Sequence, residues 1–165
     1  MNAIHHEIWI KADAKTVFDA ITTRDGLDGW WGKAVSAEPK VGHVVEFDHG
    51  PAGTILMRVD ELVPNERLVW TCVSDRTDPG DPASEWLGAE LSFALSSAND
   101  DPASGWLSST LNPDGSPSDI TILRFEHSGW NQGDRWFAFC NGAWGATLNE
   151  NLLSYCERAA DENSA

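Results

Sequence analysis

DRWFAFCNGAWGATLNENLLSYCER, residues 134–158, is the stretch whose reading decides the fold. At about 100° per residue, Phe137, Cys140, Trp144, Leu148, Asn151, Leu152 and Tyr155 fall on one broad stripe, so the segment is a long helix with one face to bury. Asp134 is placed to cap it, and the helical pattern runs to about Arg158. Gly142 and Gly145 each cost about 1 kcal/mol relative to Ala inside a helix, which implies that something approaches the helix closely there. A lone long helix with one apolar face needs a sheet to cover.

The rest of the chain supplies that sheet. Ile4 to Lys11, with Ile4, Ile8, Trp9 and Ile10, reads as a first strand, imperfectly alternating. Asp13 can cap a short helix in which Val17, Phe18 and Ile21 share one side, and Thr23 to Trp31, with Gly26 and Gly29, is a short broken helix or turn that delivers the pair Trp30-Trp31. From Gly42 onward the period changes. Val44 to Asp48, Thr54 to Leu62 and Arg67 to Val73 are strands separated by His49-Gly50-Pro51-Ala52-Gly53 and by Pro64-Asn65-Glu66, residues suited to hairpin loops. After a polar loop from Asp75 to Ser84, Glu85 to Leu95 alternates with Leu87, Ala89, Leu91, Phe93 and Leu95 on one face, and Ile120 to His127 is a further strand.

Between those two strands lies Ser96 to Asp119, rich in Ser, Asp, Pro and Gly but carrying Trp106, Leu107 and Leu111. It reads as a flexible insertion at about 96–119, either a surface excursion or a flap whose Trp106 closes on a cavity. The expected architecture is therefore α+β: a curved antiparallel sheet of about six strands wrapped around a long C-terminal helix, with two short helices after the first strand. At 165 residues one domain is expected, 1–165.

Composition narrows the function. Nine Trp in 165 residues is high, and such large flat side chains bury well while leaving gaps that a small apolar ligand can fill. The net charge of −15, from 26 acidic against 11 basic residues with no Lys/Arg cluster, argues against nucleic acid and anionic membrane surfaces as partners. The longest apolar run, Trp136 to Cys140, is five residues, so no membrane span is expected, and no signal peptide is visible. Cys72, Cys140 and Cys156 show no metal-type spacing, and Cys140 and Cys156 stand roughly 24 Å apart on one helix, too far to bridge. Reduced thiols and a cytoplasmic location follow as expectations.

Few residues suggest chemistry. No H-E-x-x-H, G-x-S-x-G, G-x-G-x-x-G or Walker pattern occurs, and His43 and His49 lie on the order of 20 Å apart along an extended strand, so neither metal nor cofactor is expected. His127 follows the run Ile120, Ile122, Leu123 and Phe125 and shares a face with Leu123 and Phe125. An imidazole there can orient a ligand oxygen or transfer a proton, or it can be a structural histidine satisfied by a backbone group. Trp9, Trp70 and Trp86 read as core, whereas Trp30, Trp31, Trp130 and Trp144 sit at rim or helix positions where either role is open.

Several fragments in order carry a resemblance: Val17-Phe18-Asp19-Ala20-Ile21-Thr22, then Trp30-Trp31, Gly42, Glu66-Arg67-Leu68-Val69-Trp70, His127-Ser128-Gly129-Trp130, and Gly142-Ala143-Trp144 with Leu148 and Leu152. Across Ile4 to about Arg158 the chain resembles the helix-grip superfamily that includes START lipid-transfer domains, the major birch-pollen allergen and bacterial polyketide aromatase/cyclases. Within it the chain looks like the branch named after the activator of the heat-shock-protein-90 ATPase. It departs from the usual pattern by carrying Ser96 to Asp119 in place of a short turn, and its 165 residues leave no room for the additional chaperone-binding domain of the eukaryotic cochaperone. The resemblance implies a cavity between sheet and closing helix that binds a small hydrophobic or aromatic molecule, with Trp30, Trp31, Phe125, His127, Trp144 and Leu148 as the candidate ligand-binding residues. The alternatives are a cyclase- or hydrolase-like enzyme using His127, and an interaction module acting on a chaperone.

Overall fold

The computed structural model describes residues 2–114 and 119–164. Its strands are β1 (Asn2–Ile10), β2 (Lys33–Ser36), β3 (Val44–Asp48), β4 (Thr54–Val63), β5 (Arg67–Cys72), β6 (Glu90–Ser97) and β7 (Thr121–Trp130). Its helices are α1 (Ala14–Thr22), α2 (Arg24–Trp30), α3 (Ser104–Leu111), α4 (Phe137–Ala146) and α5 (Leu153–Ser164), the last two joined by a π-helical turn, Thr147–Leu152. All seven strands form one antiparallel sheet in the order β1-β7-β6-β5-β4-β3-β2. The chain thus enters at one edge, crosses to the other through α1 and α2, and returns strand by strand to pair with its own beginning.

This is the expected α+β helix-grip arrangement with one more strand than the six expected. The addition is β2, four residues with only Ala34 buried, too short for alternation to register in the sequence. Irregular pairing between Asn2 and Ile4, between Ala34 and Ser36 and between Val59 and Glu61 introduces bulges, which bend and twist the strands around the helix.

The capping signal at α1 operates as expected. Asp13 Oδ1 accepts the Thr16 N–H at 2.8 Å, and hydrogen bonding from the Thr16 side chain, then from this backbone N–H, holds the Asp13 carboxyl below the usual carboxylate range. Thr23 caps α2 in the same way through Gly26 N–H at 3.1 Å. Asp134 does not cap the closing helix, which begins at Phe137. The two residues leading into it are held from another part of the chain, where the Glu85 carboxylate accepts the backbone N–H groups of Arg135 and Trp136 at 2.9 and 2.8 Å.

Along the closing helix the fully buried positions are Cys140, Trp144, Leu148, Leu152 and Cys156, an advance of four residues each time. Four residues overshoot a 3.6-residue turn, so a straight α-helix would carry such a stripe steadily around its axis. The π turn, whose end places the Leu153 N–H on the Leu148 carbonyl, winds more loosely and keeps the stripe facing the sheet. Cys156 therefore takes the buried place expected of Tyr155, and Asn151 is exposed. Of the two helix glycines, Gly145 has the expected close neighbour, a Cβ there meeting His6 Cε1 at 3.1 Å, whereas Gly142 faces open space.

Three further expectations change. The strand expected from Glu85 opens only at Glu90, because Asp81 and Pro82 set up a 3-10 turn over Pro82–Glu85, and Leu87 is left 56% exposed. Trp9 lies on the outer face of β1, 40% exposed, and is not core. In the 96–119 insertion, Ser96 and Ser97 belong to β6, and α3 docks Leu107 on Ala98, Ile120 and Ile122 in a small second core, while Trp106 is 79% exposed. Residues 115–118 of that insertion lie outside the described residues.

A bulge in β7 sets the interior. Asn2 pairs with Trp130 and Ile4 with His127, so two residues of β7, Ser128 and Gly129, oppose the single Ala3 of β1. Gly129, at φ +91°, takes up the extra residue and turns Trp130 onto the same face as His127, where it is 1% exposed. Gly129→Ala should cost about 1–3 kcal/mol in urea unfolding, since a side chain strains that backbone and its Cβ would lie 3.2 Å from Ala89 Cα.

Candidate functional site

The interior between sheet and helix is largely filled by rings. Trp31, delivered by the end of α2, lies at the centre, with ring centroids 4.4 Å from Phe47, 5.3 Å from Trp144, 5.9 Å from Trp70 and 6.1 Å from Trp30. Trp144 in turn meets Phe125 at 4.6 Å and Trp86 at 6.0 Å. Each such aromatic pair contributes on the order of 0.5–1.5 kcal/mol beyond the area it buries.

What the rings do not fill is a cleft of about 210 Å³ between the strand side and the face of α4. Trp31, His49 and Ile55 line one wall, Cys140, Ala143, Trp144 and Thr147 the other, and Trp86 and Phe139 complete it. The cleft reaches less deep than the sequence suggests. Of the residues singled out in the sequence, Trp31 and Trp144 line it. Trp30 is 3% exposed and spends its indole N–H on the Ala20 carbonyl at 2.9 Å, closing the end of α1. Phe125 and Leu148 are packed in the core at 1% and 0% exposure.

His127 lies behind Trp144. It is fully buried, and its Nδ1 accepts the Trp144 indole N–H at 3.1 Å. That bond fixes the tautomer, with the neutral ring's proton on Nε2, which has no hydrogen-bond partner among the described residues. Trp86 and Trp130 enclose the imidazole at 5.0 and 4.9 Å between ring centroids. Burial lowers its pKa from 6.5 to about 4, so it is neutral near pH 7.

The other lining residues are not marked for the site by the sequence, where His49 stands out only as a possible metal ligand and Trp86 only as core. His49 follows β3, its backbone N–H donating to the Gly53 carbonyl at 2.9 Å across the turn Gly50–Ala52. Arg76 stabilises that turn by donating to the Thr54 carbonyl at 2.7 Å and to the Ala52 carbonyl, and its guanidinium is paired with Asp81. Burial, and then the Arg76 charge, lower the His49 pKa, with Asp48 opposing. The Cys140 thiol is raised to about 11, mainly by burial, so it is protonated and unsuited to nucleophilic attack. Among the described residues no three His, Cys, Asp or Glu side chains gather as metal ligands.

The family described as "Activator of Hsp90 ATPase homolog 1-like protein" matches residues 11–157. The chain belongs to that family. Similar solved structures include the Aha1 dimer from Colwellia psychrerythraea, at 28% identity and a TM-score of 0.71 over 95% of this chain and 97% of that one. Protein MLL2253 from Mesorhizobium loti aligns over 95% and 98% of the two chains at 21% identity and a TM-score of 0.70. An AHSA1-like protein from Aeromonas hydrophila aligns over 96% and 94% at 16% identity and a TM-score of 0.59, a likeness of fold. No curated protein matches the sequence. No helix among the described residues is long and apolar enough to cross a membrane.

The neutral, buried His127 has a consequence for stability. Its folded pKa lies below its unfolded value, so its contribution is complete above about pH 6.5 and is lost as the pH falls towards 4. Guanidinium unfolding of the wild type and of His127→Asn at pH 7 and pH 4 should show the gap between them narrowing by about 3 kcal/mol at the lower pH. A gap independent of pH would contradict a buried neutral imidazole.

Proposed function

We propose that this member of the family binds a small hydrophobic or aromatic molecule in the cleft between the sheet and α4. The observation that carries the reading is the cleft itself, about 210 Å³ and walled by Trp31, Ile55, Trp86, Phe139, Ala143 and Trp144. An apolar cavity of roughly 150 Å³ holds benzene, so a guest of one or two rings fits and a long acyl chain does not. Stacking on indole faces supplies affinity without a charged partner.

The enzyme reading draws less support, because His127, its proton-transfer group, is sealed behind Trp144, and the Cys140 thiol at the cleft is protonated. Three free, buried thiols favour a reducing compartment and hence a cytoplasmic location. The net charge of −15 argues against nucleic acid as a partner. One continuous seven-stranded sheet supports reading the chain as a single domain.

Titration with one- and two-ring aromatics should change the tryptophan emission saturably, since Trp31, Trp86 and Trp144 all line the cleft. Ala143→Phe, which fills the cleft from α4, should weaken binding at least about tenfold with an unchanged far-UV circular dichroism spectrum. Absence of any saturable change at millimolar ligand would overturn the reading.

A further inference from the structure

Thr147 opens the π turn of the closing helix, one turn beyond Trp144, and lines the cleft half-buried. Helical hydroxyls elsewhere in this chain fold back on the carbonyl four residues earlier, Thr22 on Phe18 at 2.7 Å and Ser164 on Ala160 at 2.9 Å. The Thr147 hydroxyl makes no hydrogen bond among the described residues, and it is not sealed away from the cleft as the ring nitrogens of His49 and Trp86 are. It remains open to whatever enters.

Trp31 presents the same condition from the facing wall. Rings pack it on the sides of Phe47, Trp70, Trp30 and Trp144, and its remaining surface lines the cleft. Its indole N–H likewise has no partner among the described residues and is not among the buried unpaired atoms. The two walls come together where α2 packs on the π turn and the Trp31 and Trp144 rings stand 5.3 Å apart, which sets the indole N–H and the hydroxyl at one end of the cleft.

The charged and sulfur groups of the lining are already engaged. Arg76 donates to Asp81 and to the Thr54 and Ala52 carbonyls, and Asp81 also accepts the Ala83 N–H at 3.0 Å. The Cys140 thiol faces the Pro82 carbonyl at 3.9 Å, and the Trp144 N–H is spent on His127.

We propose that the Trp31 indole N–H and the Thr147 hydroxyl form the polar end of the cleft, and that its ligands are uncharged aromatic compounds bearing a carbonyl oxygen. The inference rests on the cleft being a ligand site and names what that site selects. An indole nitrogen only donates and a threonine hydroxyl can donate, so the pair serves an oxygen with two lone pairs and no proton of its own. The rest of the wall is ring and methyl surface that takes the aromatic part.

The test uses acetophenone and α-methylstyrene, of nearly equal shape, one carrying a carbonyl oxygen where the other carries a methylidene group. Each is titrated at pH 7 into the ¹⁵N-labelled full chain, following the indole N–H signals. In Thr147→Val, which keeps the branched shape, the ratio of acetophenone to α-methylstyrene affinity should fall about fivefold, because the carbonyl then loses a donor. Thr147→Ser, which restores the hydroxyl, should return the ratio to within about twofold of the wild type. The Trp31 indole proton should move downfield with acetophenone and not with α-methylstyrene. A ratio unchanged in Thr147→Val, or a Trp31 proton that responds alike to both compounds, overturns the polar end and leaves the cleft reading standing. If neither compound shifts any indole signal of the wild type, the cleft reading fails and this inference fails with it.

Discussion

A single helix laid across a curved sheet cannot reach every residue of the concave face, and the volume left over must be filled to near-crystalline density or stay open to a guest. In this chain tryptophan does most of the filling. Trp31 wedges between the strand rings of Phe47 and Trp70 and the helix ring of Trp144, so that sheet, α2 and α4 meet through one side chain. The rings stop short of the mouth, where the small side chains Ala52, Ala83 and Ala143 leave the cleft.

Filling a core with indoles imposes a polar requirement, because each buried ring carries a donor that water no longer serves. Trp30 meets it with a helix carbonyl, and Trp144 meets it with His127. His127 is in that sense a consequence of Trp144: the imidazole supplies an acceptor for the indole N–H deep in an apolar interior. A histidine at the end of an apolar strand signals a buried imidazole, but the sequence does not say whether it faces a ligand or another ring.

The fold was largely legible. Apolar residues recurring along 134–158, alternation in β6 and β7, turn residues between β3, β4 and β5, and the cap at Asp13 are all short-range signals, each with a local physical cause. The role of Glu85 was hidden because its carboxylate reaches N–H groups at the entrance of the closing helix, about fifty residues away in the chain. β2 was hidden because four residues with a single buried Ala carry no period. The cleft was legible only in part. Trp31 and Trp144 announce themselves by size and position, whereas His49 and Trp86 sit in turns, where neither periodicity nor propensity says which way a side chain points.

Sequence alone determined the classes of element, their order and the burial of one helical face, since hydrophobic period and capping chemistry act within a few residues of the chain. Tertiary structure decided how much of the concavity stays open. That quantity depends on the Gly129 bulge that turns Trp130 inward, on the π turn that keeps Trp144 and Leu148 in line, and on the packing of Trp31 against three other elements. Volumes between rings are fixed by distances across the fold, and no neighbourhood along the chain contains them.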